Sequence, residues 1–99
     1  MTNTMFKLDE HNHVVPCSDV IEWGKFFQDS DRRRVARTEI GDVLVSTVFL
    51  GIDHRWGDGP PLIFETMVFG GELDQEMDRY STWEEAIKGH ETMVKRVKK

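Results

Sequence analysis

One stretch, Val43-Leu44-Val45-Ser46-Thr47-Val48-Phe49-Leu50-Gly51-Ile52, constrains this chain more than any other. It is dense in β-branched and aromatic residues, which suit a pleated, half-buried surface. Gly41-Asp42 precedes it, with glycine first, the composition of a two-residue type II′ hairpin turn. Val35 to Ile40 is then its antiparallel partner, with Ile40 facing Val43, Thr38 facing Val45 and Ala36 facing Thr47. Because side chains alternate along a strand, one face carries Ala36, Thr38, Ile40, Val43, Val45, Thr47 and Phe49. The other carries Val35, Arg37, Glu39, Leu44, Ser46, Val48, Leu50 and Ile52. The following strand, Leu62 to Phe69, sets Leu62, Phe64, Thr66 and Val68 against Ile63, Glu65, Met67 and Phe69, and Gly70-Gly71 ends it. Neither face shows the clean alternation of a sheet with one wet side.

The remaining elements follow from periodicity and caps. Phe6 to Asp9 and Val14-Val15 flank a polar turn and read as a short N-terminal hairpin. Val20, Trp23, Gly24 and Phe27 recur at helical spacing, and Asp19 with Glu22 has the spacing of a capping box, so a helix is expected over 19–29. Gly24, within that stripe, is expected to allow close backbone packing. A weaker polar strand falls within Gln75 to Tyr80. Ser81-Thr82-Trp83-Glu84 reads as a second capping box, opening an amphipathic helix over 82–97 along Trp83, Ile87, His90, Val94 and Val97. The expected fold is a single α+β domain of 99 residues: an antiparallel sheet of about four strands, two helices packed on one face, and a short N-terminal hairpin.

Two helices are too little to cover both faces. The other face is either closed by the hairpin and the 53–61 loop or left as an apolar patch of roughly a few hundred Å², the size that marks an interaction site. Composition narrows the partners. Eighteen acidic against 13 basic residues give a net charge of −5, so the basic footprint of a nucleic-acid binder is missing and nucleic acid is an unlikely partner. No apolar run approaches the ~20 residues of a spanning helix, and no leader pattern opens the chain. A lone cysteine, Cys17, forms no internal disulfide. A cytoplasmic protein is expected, with no membrane partner.

Chemistry-bearing residues are few. Asp53 and His54 at the exit of the best strand, Glu65 on the next and His90 in the final helix would make an N/O set for a divalent metal or acid–base work. No metal or cofactor motif supports it. His90 at the centre of an apolar stripe reads better as a core histidine, Asp53 as a turn cap, and Glu65 as the partner of Arg37 or Arg79. The pair in His11-Asn12-His13 reads as solvated turn residues. Arg32-Arg33-Arg34 with Arg37 reads as a run that pairs with nearby carboxylates or guards an edge strand. Trp56, in the Gly/Pro-rich loop, is either an anchor for a partner or a lid on the sheet. Trp56, Phe49 and Val45 are the residues expected to meet another protein.

The segments Val45-Ser46-Thr47-Val48-Phe49-Leu50-Gly51-Ile52-Asp53-His54, Pro60-Pro61-Leu62-Ile63-Phe64-Glu65-Thr66-Met67-Val68-Phe69-Gly70-Gly71 and Arg79-Tyr80-Ser81-Thr82-Trp83-Glu84-Glu85-Ala86 resemble those of a family of small bacteriophage and bacterial proteins that carries no assigned activity. The resemblance implies a phage or prophage setting, where small accessory proteins act by binding host components. It transfers no catalytic residue. The expected role is thus a non-enzymatic protein-binding module whose partner is a host or phage protein or a second copy. The alternative is a small metal-assisted or acid–base enzyme using Asp53, His54, Glu65 and His90.

Overall fold

A computed structural model describes residues 5–55 and 57–99. The chain opens with β1 (Phe6–Leu8) and β2 (Val14–Pro16), paired antiparallel. Their turn is tied by Asp9, whose carboxylate accepts the backbone N–H groups of His11 and His13. Helix α1 (Val20–Gln28) is capped by Asp19, which accepts from the N–H groups of Ile21 and Glu22. Glu22 does not return the bond to close a capping box; it pairs with Lys7 on β1 instead. Asp29 then caps the single turn α2 (Ser30–Arg33), an element the sequence reading did not anticipate.

The main sheet comprises β3 (Arg34–Ile40), β4 (Val43–Phe49), β5 (Phe64–Phe69) and β6 (Met77–Tyr80), antiparallel in that order. The hairpin register is the expected one, with Ile40 opposite Val43, Thr38 opposite Val45 and Ala36 opposite Thr47. Gly41 takes the positive φ of 59° that a primed turn needs at its first central position. One feature escapes strict alternation: a bulge between Arg34 and Ala36 leaves Val35 unpaired. A bulge shifts one residue out of the pleat, so Val35 packs on the core cluster rather than joining Arg37 and Glu39 on the opposite face.

Helix α3 (Trp83–Lys98) spans the sheet, touching all four strands. Its capping box closes one residue later than expected, with Thr82 rather than Ser81 as N-cap and Glu85 rather than Glu84 as the reciprocal acceptor. Glu85 can do this because one of its oxygens reaches the backbone N–H groups of both Ser81 and Thr82. Beneath α3 lie Val45, Thr47 and Phe49 of β4 with Phe64, Thr66 and Val68 of β5, all fully buried. Helix α1 joins the same face at the end of β4. Its Phe26 ring meets Phe49 edge-on at 5.9 Å, and its Trp23 indole N–H donates to the Gly51 carbonyl at 3.2 Å. The fold is therefore the expected α+β arrangement with one sheet face covered.

Glycine acts at a different place from the one expected. A side chain added at Gly24 would meet nothing, so no close approach occurs there. At Gly89 of α3 an added Cβ would overlap the ring and hydroxyl of Tyr80, so this helical glycine is what lets β6 and α3 close on each other.

Candidate interaction surface

The helix and the covered sheet face divide into two apolar clusters. One gathers Phe6, Leu8, Phe49, Ile63, Phe64 and Ala86; the other gathers Val45, Val68 and Met93. A polar chain runs between them. His90, 5% exposed, bonds Thr38 through Nε2 at 2.8 Å and Thr47 through Nδ1 at 2.7 Å. Thr47 meets the Thr66 hydroxyl at 2.5 Å. Burial pushes the imidazole below its ordinary value near 6.5, against a weaker upward pull from Glu91. A neutral imidazole has one donor and one acceptor nitrogen. Both are occupied here, so His90 has no nitrogen free for a metal or substrate proton.

The other members of the proposed ligand set stand apart from it. Glu65 is paired with Val48 and Arg79, which puts it on the sheet face opposite His90, and its carboxylate takes the Arg79 Nε–H at 3.1 Å. Asp53, beyond the end of β4, closes the loop: its carboxylate accepts the backbone N–H groups of Arg55 and Leu62 and pairs with the Arg55 guanidinium at 2.8 Å. His54 is solvent-exposed beside it. Among the described residues no group of three or more His, Cys, Asp or Glu side chains is placed to hold a metal ion. His11 and His13 are exposed turn residues, with His13 beside Asp9.

The basic run is also spent internally. Arg32 donates to the carbonyls of Leu8 and Asp9 and lies over the Phe26 ring. Arg33 sits 4.1 Å from the centroid of Phe27, which stacks on Trp23 at 4.8 Å. Arg34 pairs with Asp31, and Arg37 with Glu39.

Of the residues expected to meet a partner, Val45 and Phe49 are wholly inaccessible, because α3 and α1 chose their face. Trp56 lies outside the described residues. The accessible face is the other one, and the strand registers order it in rows. Arg34, Val48, Glu65 and Arg79 form the first row, and Arg37, Ser46, Met67 and Met77 the second; Glu39, Leu44 and Phe69 form the third. Leu44, Val48, Met67, Phe69 and Met77 supply its apolar surface, interrupted by Ser46 and Glu65 on the central strands, with Arg34, Arg37, Glu39 and Arg79 on the edge strands. Phe69 is 46% exposed and Met77 41% exposed, and none of Leu44, Val48, Met67, Phe69 or Met77 belongs to either core cluster. The alternation of β4 and β5 made this face readable as apolar; which face the helices would take was not readable from one strand pattern.

No helix among the described residues is long and apolar enough to cross a membrane. The chain matches no family model, no curated protein and no solved structure.

Proposed function

We propose that this protein is a protein-binding module that works through the outward face of its sheet. The observation that carries the reading is the outward-facing apolar group Leu44, Val48, Met67, Phe69 and Met77, which belongs to neither core cluster, is interrupted by Ser46 and is flanked by Arg34, Arg37, Glu39, Glu65 and Arg79. An apolar centre with a polar rim is the anatomy of a protein interface. The two methionines add a surface that adapts its shape to a partner. The partner that fits is a folded protein offering an apolar ridge with charges of both signs beside it. A phage or prophage setting, as a resemblance of its strand and helix segments to small bacteriophage and bacterial proteins would imply, fits an accessory role exercised on a host or phage protein. The acid–base and metal alternative draws no support from the geometry, since Glu65 and His90 face opposite sides of the sheet and both are bonded elsewhere.

The test is a partner captured from lysate, purified and titrated against the wild-type chain and against Phe69→Asp and Met67→Lys. Both substitutions sit on the wet side of the sheet and should leave the melting temperature nearly unchanged, while weakening binding by about tenfold or more, as loss of an apolar hot spot does. Affinity indifferent to both would refute the assignment of this face.

A further inference from the structure

The sheet has two edges, and β3 is the longer one, seven residues against four in β6. The two-residue turn makes Ile40 and Val43 the closing hydrogen-bonded pair of the β3–β4 hairpin. Hydrogen-bonded and non-bonded pairs then alternate, so the backbone groups of Ala36, Thr38 and Ile40 turn toward β4. Those of Arg37 and Glu39 point away from the sheet, and no backbone partner among the described residues takes them. A row of outward N–H and C=O groups is a template for another strand.

We propose that the strand which completes this edge is β3 of a second copy, joined antiparallel about a two-fold axis through Thr38 and normal to the sheet. Register decides the matter. Such an axis keeps like faces together, so opposite residues must share a face, and only slides of two residues are allowed. One slide sets Arg37 against Arg37 of the other copy, and another sets Glu39 against Glu39. The register centred on Thr38 alone sets Arg37 opposite Glu39 twice over. It also makes both of those pairs the closely bonded kind, using the backbone groups left pointing outward. On the covered face it brings Ala36 opposite Ile40, a small residue against a large one.

The charges that would repel in any neighbouring register thus select this one. Within a single copy Arg37 and Glu39 already lie 3.4 Å apart with side chains 52% and 71% exposed, so pairing arranges four charges of alternating sign around the axis. The result is a continuous eight-stranded sheet with both α3 helices on one side and both apolar faces on the other. The edge pairing draws on two charges at the margin of the outward face, Arg37 and Glu39, but uses the strand edge and leaves the apolar residues of that face open.

The experiment is analytical ultracentrifugation of the full chain over a wide concentration range, with amide exchange on the same samples. Wild type should form a dimer in which the Arg37 and Glu39 amides gain protection as concentration rises, while the Thr38 amide, already bonded to β4, changes little. Glu39→Arg should weaken the dimer by about tenfold or more, since opposite charges across strands become like ones in two symmetric pairs. The double variant R37E/E39R should restore it, because the opposition returns with signs exchanged. Melting curves establish that each variant is folded. Phe69→Asp should leave the dimer intact. A chain that stays monomeric at every concentration overturns the proposal. So does a dimer that ignores the single swap, is not rescued by the double one, or falls apart with Phe69→Asp.

Discussion

Removing the imidazole of His90 tests the core more severely than any other single change. In His90→Ala, Thr38 loses its bond to Nε2 and Thr47 its bond to Nδ1, although Thr47 keeps Thr66. Two net hydrogen bonds amount to about 2 kcal/mol, and an incompletely filled cavity between the two apolar clusters adds roughly 1–2 kcal/mol. A loss of about 3–4 kcal/mol is a large share of the roughly 5–15 kcal/mol that holds a domain of this size. At about 4–8 °C per kcal/mol, the melting temperature should fall by roughly 12–30 °C. The pH dependence supplies a second, independent reading. Burial lowers the imidazole pKa below 6.5 in the folded chain, so the unfolded chain binds more protons in the window just below that value. Stability therefore rises with pH through this window. The contribution is full above pH 6.5 and is lost as pH falls toward the lower folded value. Thermal melts by circular dichroism from mildly acidic to neutral pH should show that slope in wild type and a flatter one in His90→Ala. A variant that melts where wild type melts, or one that keeps the same slope, would show that the Thr38–His90–Thr47 chain does not hold the two apolar clusters together.

Two further changes probe single contacts. Gly89→Ala should destabilise the chain despite alanine's better helix propensity, by about 1–3 kcal/mol, because the new Cβ drives the Tyr80 ring and hydroxyl off α3; a rise in melting temperature would mean that Tyr80 is free to move aside. Asp53→Ala should cost about 1–3 kcal/mol by freeing two backbone N–H groups that the buried carboxylate now accepts, whereas His54→Ala should leave thermal stability where it was, and equal effects of the two would contradict the cap role.

Where a local rule governed the outcome, the residues themselves announced it. Gly41-Asp42 set a two-residue turn, and the turn set the register of β3 against β4 down to Ala36. Asp19 capped α1 as its side chain allows, and Asp53 closed a loop rather than serving a metal. Where two residues competed for one role, short-range chemistry was not enough. Ser81 and Thr82 can both cap a helix, and the choice fell to Thr82 because Glu85 reaches back to both. The bulge at Val35 left no mark in the strand pattern, since a valine there suits either face.

The period of two along β4 and β5, together with the turn, established by itself that this chain builds an antiparallel sheet apolar on both sides. Periodicity is a property of each strand alone and holds whatever the strand packs against. Which side α3 and α1 would take is a property of the assembled chain, decided by contacts far apart in sequence. His90 reaches Thr38 and Thr47 across 52 and 43 residues, and Phe26 meets Phe49 across the residues of the intervening hairpin. Those contacts buried Val45 and Phe49 and turned Met67, Phe69 and Met77 outward, because one set of side chains fitted the helices and the other did not.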